Sequence, residues 1–227
     1  MTLLARKCEP LRNHLLGVAR CAASLTSALR LELQREAALA GLLHDVGKAD
    51  EGAQERITRD KGAPGHEVLS ALIADRLLKR LKLSTAERFI IVIAILRHHQ
   101  AIRTLENSLS RLVWLRGLTQ VNELAEILAI GLREAGLSVR MEEVASVLGS
   151  WPSRRELRGA IKGMWSGLRE RYGDPRTCLR ARMLTGVLMV ADTYVAGSRT
   201  KAPRSRYRKE VREFVSCVLG LREQYRA

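Results

Sequence analysis

Apolar residues recur at intervals of three and four along most of the chain, the spacing that places them on one face of an α-helix. Four helices are predicted in the first hundred residues: 10–29, 33–46, 66–82, and one that begins after Ser84 and ends at 97–100. Further helices are predicted over 108–118, 121–135, 141–148, 153–171, 176–196 and 210–222. The pattern therefore predicts an all-α fold.

Local signals define several helix ends. Ser84 and Glu87 have the spacing of a capping box. Gly47 is expected to end the second helix in a left-handed C-cap conformation. The small residues Ala40 and Gly41 would allow another helix to approach that helix closely. Residues 50–65 are polar, charged and glycine-rich, which favours a flexible loop.

Composition agrees with a packed helical core in one domain. The chain has 227 residues, of which 46% are hydrophobic and only 4% aromatic, so leucine, alanine, valine and isoleucine must fill the interior. We expect residues 1–227 to form a single domain, with a basic C-terminal tail and helix over 198–227.

Charge is distributed unevenly over this chain, whose net charge is +15. Residues 1–152 carry 21 basic and 17 acidic side chains, whereas residues 153–227 carry 18 basic and 7 acidic ones, a net +11. Such asymmetry indicates a polyanionic partner, most often nucleic acid; the alternative is a merely solvated basic surface. The candidate nucleic-acid-binding residues in the tail are Arg199, Lys201, Arg204, Arg206, Arg208 and Lys209.

The sequence favours a cytoplasmic protein. Its four cysteines are scattered and form no CxxC motif, which is typical of reduced core thiols. Residues 1–10 lack the apolar segment of a signal peptide, and the longest apolar run, 89–96, is too short to span a membrane. No membrane association is therefore expected.

All five histidines occur where a buried cluster could form. His44 and Asp45 are adjacent at a helix end, where neighbouring side chains are able to converge on one point. Two apolar helical faces carry one polar residue each, the first His14 and the second Asp192. A buried acid requires a compensating cation, which would be a metal ion or, alternatively, an arginine. The candidate metal ligands are His14, His44, Asp45, His66, His98, His99 and Asp192.

Five imidazoles and two carboxylates exceed the needs of one four-ligand site. Two ions would use every candidate, with Asp45 as the bridge between them. Two divalent ions about 3.5–4 Å apart are suited to phosphodiester hydrolysis. Imidazole-rich ligation favours transition metals over Mg²⁺, and we expect activity with Mn²⁺, Ni²⁺, Co²⁺ or Mg²⁺.

The order His, His-Asp, His, His-His, Asp resembles that of the HD metal-dependent phosphohydrolase superfamily. More narrowly, the run from Gly41 to Lys48 and the later Ala191-Asp192 resemble the stand-alone CRISPR-associated HD nuclease of type I interference. The resemblance implies one metal held by His14, His44, Asp45 and Asp192, and a second held by Asp45, His66, His98 and His99. It also implies a single-stranded DNA substrate, a separate helicase subunit and an RNA-guided CRISPR interference complex as partners.

The catalytic candidates are Asp45 and Lys48. Lys48 matches the family's motif lysine, which implies a role against the scissile phosphate; the alternative is a solvated lysine at a helix end. The sequence shows no GxxxxGK[ST] motif, which agrees with a nuclease separated from its helicase. Two other functions remain open: an HD phosphohydrolase of small nucleotides or cyclic dinucleotides, and a binding module with a vestigial site.

Overall fold

The computed structural model describes residues 2–99, 115–150, 156–197 and 206–220. It confirms the all-α prediction, since α-helices account for nearly all regular structure in these ranges. The ten helices there are α1 (Leu11–Ala28), α2 (Gln34–Leu43), α3 (Glu51–Thr58), α4 (His66–Arg80), α5 (Thr85–Arg97), α6 (Val121–Glu134), α7 (Met141–Gly149), α8 (Leu157–Leu168), α9 (Pro175–Gly197) and α10 (Arg206–Val218).

A small hairpin that the sequence pattern did not predict precedes the helices. Strands β1 (Leu4–Arg6) and β2 (Glu9–Pro10) pair antiparallel, with Arg6 opposite Glu9. Leu3 and Ala5 are buried on its inner side, and Leu11 N–H donates to Leu3 O at 2.8 Å. A backbone hydrogen bond and the burial of Leu3 and Ala5 therefore hold the hairpin against the start of α1.

Helix α5 is central, as its sequence predicted. All eight residues of 89–96 are buried, and the helix packs between α4 and α9. Its capping box is formed: Glu87 N–H donates to Ser84 Oγ at 3.3 Å, and Ser84 N–H donates to Glu87 Oε2 at 2.9 Å. A helix with no polar face is stable only when other helices surround it.

Helices α1 and α2 approach closely at Gly41, which confirms the expectation from the small residues there. A Cβ on Gly41 would lie 2.7 Å from the Cα of Ala19 and 2.9 Å from the carbonyl carbon of Val18. No real side chain tolerates such distances to backbone atoms, so the helix contact depends on glycine at this position.

The prediction of a left-handed C-cap at Gly47 is wrong. Helix α2 ends at Leu43, His44 keeps a helical backbone, and a short 3₁₀ helix covers Val46–Ala49. A Cβ on Gly47 would lie 2.4 Å from the carbonyl oxygen of His66 and 2.9 Å from the nitrogen of Ser70. Glycine is needed there because α4 is so close.

The prediction of a flexible loop over 50–65 is also wrong, because α3 occupies its first half. Asp50 caps this helix by accepting a hydrogen bond from Gly52 N–H at 2.9 Å. Ala53 and Ile57, one turn apart, are buried on its inner face. An apolar face this narrow is easily obscured by the many charged residues around it.

The remaining helices follow the predictions with shifted ends. Most of the helix predicted over 108–118 lies outside the described residues, and 115–118 are not helical. The helix predicted over 153–171 becomes α8 followed by a 3₁₀ helix, Arg169–Gly173. Helix α10 begins earlier than the predicted 210–222. Among the described residues, no helix has the length and apolar character needed to cross a membrane.

Candidate metal centre

Helix ends deliver most of the candidate ligands. His44 is the C-cap residue of α2, His66 begins α4, and His98 is the C-cap residue of α5, followed by His99. His14 lies in the first turn of α1. His14, His44 and Asp45 are at most 1% exposed, and His66 and His98 at most 4%. The structure thus brings histidines from four helices into one buried cluster.

Asp45 lies at the centre of this cluster, and its two oxygens face different histidines. Oδ1 lies 2.7 Å from His66 Nε2 and 3.9 Å from His98 Nε2. Oδ2 lies 3.2 Å from His14 Nε2 and 3.5 Å from His44 Nε2. One carboxylate therefore adjoins two separate groups of imidazoles.

These groups form two ligand sets, in each of which one ligand atom per residue lies within 4.8 Å of the others. The α4/α5 set comprises Asp45, His66, His98 and His99. The α1/α9 set comprises His14, His44 and Asp192. Oδ2 of Asp45 adjoins this second set as well, so the arrangement coincides with the two sets implied by the resemblance.

Four of the histidines, His14, His44, His66 and His98, form a hydrogen bond from Nδ1 to an acceptor outside the cluster. His44, His66 and His98 donate from Nδ1 to the carbonyl oxygens three residues before them, at 2.8, 2.6 and 2.6 Å. His14 donates from Nδ1 to Glu9 Oε1 at 3.2 Å. At His44, His66 and His98 such contacts fix the tautomer and aim the lone pair of Nε2 into the cluster, as in protein metal sites.

The inward-facing atoms are not satisfied by the protein itself. Nε2 of His14, His44, His66 and His98, together with Asp45 Oδ1, is buried without a hydrogen bond of acceptable geometry. Buried polar atoms without partners cost several kcal/mol in total. Imidazole and carboxylate donors suit divalent transition metals, so the residues present fit such ions.

The electrostatics distinguish His14 from His44, His98 and His99, whose neutral imidazoles are the form that binds a metal. Burial lowers the pKa of His44 to about 3, and burial also lowers the pKa of His98 and His99, so all three are neutral. Burial acts in the same direction on His14, but Asp192, Asp45 and Glu9 outweigh it and raise the pKa of His14 to about 10. The three carboxylates thus favour a positive charge on His14 in the α1/α9 set.

Lys48 is buried rather than solvated. It is 7% exposed, and its Nζ donates to Asp45 Oδ2 at 2.5 Å. Burial alone would raise the pKa of Asp45, but His44, Lys48 and His66 hold that pKa well below its usual range. Asp45 therefore remains a carboxylate, the form that binds cations.

Two contributors from the N-terminal hairpin were not recognised in the sequence. The Arg6 guanidinium donates to Asp192 Oδ1 at 3.2 Å, and Glu9 accepts from His14. The alternative of an arginine partner for Asp192 therefore holds alongside its place in the α1/α9 set. No motif marks Arg6 or Glu9, because only the pairing of β1 with β2 brings them to the cluster.

The candidate nucleic-acid-binding residues lie partly outside the described residues, and their role stays a prediction. Arg199, Lys201 and Arg204 fall in the range that the structure does not describe. Arg206, Arg208 and Lys209 lie on α10, which packs on α9. Arg206 bonds to Glu210 at 2.8 Å and Lys209 lies 3.8 Å from Glu213, so acids of the same helix pair with two of these cations.

Comparison with known proteins finds one family model and a solved structure that match the chain. Residues 11–136 match the HD domain family, and the match contains every candidate ligand except Asp192. The fold is similar to that of the CRISPR-associated Cas3 HD domain protein from Methanocaldococcus jannaschii, with a TM-score of 0.52. The two chains are 20% identical, and the similarity covers 85% of this chain and 99% of that one. No curated protein has significant sequence similarity to the chain.

Proposed function

The chain belongs to the HD domain family of metal-dependent hydrolases, and we propose that it is a nuclease that hydrolyses phosphodiester bonds of single-stranded DNA. The carrying observation is the position of Asp45, whose two carboxylate oxygens adjoin two different sets of buried ligands. Catalysis by two metal ions is a common route to phosphodiester cleavage.

The proposed context is CRISPR type I interference. The order of histidines and acids in the sequence and the fold shared with a CRISPR-associated HD domain protein support it. In this context the chain would act in the cytoplasm beside a separate helicase subunit and an RNA-guided complex. The basic C-terminal region would favour a polymeric anion over a small nucleotide.

In this proposal each set would hold one divalent ion, and Asp45, which adjoins both sets, would serve as a ligand in each. When bound, the ions supply Lewis acidity at the phosphate and a lowered pKa for water. The backbone carbonyls behind His44, His66 and His98 keep the imidazoles oriented, so binding requires little rearrangement. The surrounding apolar helices keep bulk water from the ligands.

Lys48 has the role of a positioning and phosphate-contacting cation. One of its three N–H donors is directed at Asp45, which holds that carboxylate in place. We assign its other donors to the non-bridging oxygens of the scissile phosphate. Its backbone carbonyl accepts from Gln54 Nε2 at 2.6 Å, which fixes the segment that carries it.

The test is cleavage of end-labelled single-stranded DNA, beside a deoxynucleoside triphosphate and a cyclic dinucleotide. Metal-stripped protein is resupplied with Mn²⁺, Ni²⁺, Co²⁺ or Mg²⁺, and the bound metal per chain is measured. Asp45→Ala is compared with Glu142→Ala, which removes an exposed carboxylate on α7.

We expect metal-dependent DNA fragmentation that Asp45→Ala abolishes and Glu142→Ala retains. Asp45→Ala should also lose bound metal while retaining most of its affinity for DNA. Hydrolysis of the small substrates alone would replace the nuclease with a nucleotide or cyclic-dinucleotide phosphohydrolase. No turnover with any of the metals would count against an enzymatic role for the isolated chain.

A further inference from the structure

A basic pocket lies on α3, outside the metal cluster. It is a cavity of about 240 Å³ lined by Gly52, Glu55, Arg56, Arg59, Lys61 and Arg116. Four of these side chains are cationic and one is acidic, so the lining carries an excess of positive charge. We call it the α3 pocket.

The single carboxylate does not neutralise the α3 pocket. Glu55 accepts from Arg59 at 2.7 Å and lies 2.9 Å from Arg116 Nη2, so one acid is shared by two guanidiniums. Both arginine side chains are more than half exposed, at 64% and 55%. Arg56 is held differently, because its Nε donates to the carbonyl oxygen of Gly62 at 3.0 Å. Planar guanidinium groups bind phosphate with paired, charge-assisted hydrogen bonds.

Hydrogen bonds connect the α3 pocket to the segment that carries Lys48. Asp50, the N-cap of α3, accepts from the backbone N–H groups of Gly52 and Gly117, at 2.9 and 2.7 Å. Gln54 bonds to the carbonyl oxygens of both Lys48 and Leu4. The pocket, Lys48 and the N-terminal hairpin are therefore linked by direct hydrogen bonds.

The spacing suits a polymer rather than a single phosphate. Helix α3 is separated by Asp50 alone from the 3₁₀ helix that contains Lys48, and its eight residues extend about 12 Å. A stacked strand advances about 3.4 Å per nucleotide, so roughly three to four nucleotides would bridge that length. A bound strand of that length would cover α3 and extend toward the segment that carries Lys48.

We propose that the α3 pocket binds backbone phosphates of the single-stranded polynucleotide whose scissile bond enters the metal centre. The inference rests on the proposed nuclease function and adds the route of its substrate. It assigns a binding role to Arg59, Lys61 and Arg116, which the sequence did not single out.

The test removes the three exposed cations without reversing charge, as Arg59→Gln, Lys61→Gln and Arg116→Gln in one variant. The matched control is Lys79→Gln, Arg80→Gln and Lys82→Gln, which removes equal charge from exposed residues at the far end of α4 from His66. Binding of fluorescent single-stranded DNA to the full chain is measured in EDTA at several salt concentrations. Circular dichroism verifies that each variant is folded.

Loss of three phosphate contacts should lower the slope of log affinity against log salt by about 2, at about 0.7 per contact. If both proteins bind equally at 1 M salt, this corresponds to about 100-fold weaker binding at 0.1 M. The control should retain the slope of the unmodified protein. An unchanged slope in the α3 variant, equal losses in both variants, or no DNA binding by the unmodified protein would each overturn the inference.

The proposed function and this inference fail in different ways. DNA binding that depends on the α3 pocket, in a protein that cleaves no DNA with any metal, would leave the pocket standing and remove the nuclease. Metal-dependent cleavage with an unchanged salt slope in the α3 variant would do the reverse.

Discussion

The two ligand sets around Asp45 are assembled in different ways. The α4/α5 set draws its histidines from two helix ends within residues 66–99, and all of them lie inside the range that matches the HD domain family. The α1/α9 set combines His14 from the first helix with Asp192 from α9, and Asp192 lies beyond that range. One set is thus local in the chain, whereas the other requires contacts between its two ends.

The contacts behind the two sets differ as well. In the α4/α5 set, His66 and His98 are held by backbone carbonyls of their own segments, which no substitution of a side chain removes. In the α1/α9 set only His44 has such a backbone partner, the carbonyl oxygen of Gly41, whereas His14 is held by Glu9 and Asp192 by Arg6, both from the hairpin. We therefore expect substitutions of Glu9 and Arg6, which contact His14 and Asp192 directly, to alter the α1/α9 set and to leave the α4/α5 set unchanged.

The largest expected effects come from separating the sets. Asp192→Ala should remove the ion of the α1/α9 set and leave that of the α4/α5 set, and His66→Ala should do the opposite. Each variant should retain about one of two ions and lose at least about 100-fold in DNA cleavage, because each ion supplies several kcal/mol. Metal analysis after dialysis and single-turnover cleavage measure the two effects.

Thr193→Ala, beside Asp192 on α9, serves as the control and should retain both ions. If Asp192→Ala and His66→Ala each lose both ions, the cluster is one coupled site and the division into two sets is wrong.

How far the sequence predicted the structure follows the same division. Helices and their polar inward positions depend on local periodicity, so the all-α fold and all seven candidate ligands were identified from the chain alone. The structure brings those seven residues together, while their role as metal ligands stays a prediction. The hairpin partners Arg6 and Glu9 were missed because their place depends on strand pairing and on a helix far along the chain.

At Gly47 too, a contact distant in the sequence decides the local structure. A glycine after a helix often adopts a left-handed conformation, and the sequence was interpreted on that basis. Its actual constraint is the carbonyl oxygen of His66, a contact with α4 that no local pattern reveals. Helix α3 was missed because its apolar face consists of little more than Ala53 and Ile57.

Glycine substitutions would test each set through its backbone support. Gly47→Ala should push the 3₁₀ helix away from His66 and weaken the α4/α5 set, whereas Gly41→Ala should separate α2 from α1 and weaken the α1/α9 set. Overpacking of this kind costs about 1–3 kcal/mol in free energy of unfolding. For a chain of this size each kcal/mol lowers Tm by about 2–4 °C.

Gly163→Ala is the matched control, because nothing lies within 4 Å of a Cβ at this position in α8. Alanine should be neutral or stabilising there by up to about 1 kcal/mol. Thermal unfolding of metal-stripped protein gives the stability change, and metal retention shows which set is affected. Equal Tm values for Gly47→Ala and Gly163→Ala would contradict the close packing at α4.

The smallest expected effect concerns Glu9, the side-chain support of His14. Glu9→Gln keeps an oxygen acceptor for His14 Nδ1 but removes the negative charge that strengthens this hydrogen bond. Loss of such an outer partner typically costs 10–100-fold in metal affinity, and we expect about tenfold because the acceptor is retained.

Chelator competition measures that affinity for one set at a time: in a His66→Ala background only the α1/α9 set remains, and in an Asp192→Ala background only the α4/α5 set. The loss should occur in the first background and not in the second. The control is Glu126→Gln, which removes the exposed partner of Arg12, a residue on the same helix as His14; it should change the affinity of neither set. A similar loss in both backgrounds would mean that Glu9 acts through the charge of the whole cluster, and the contrast between backbone and side-chain support would no longer explain how the two sets differ.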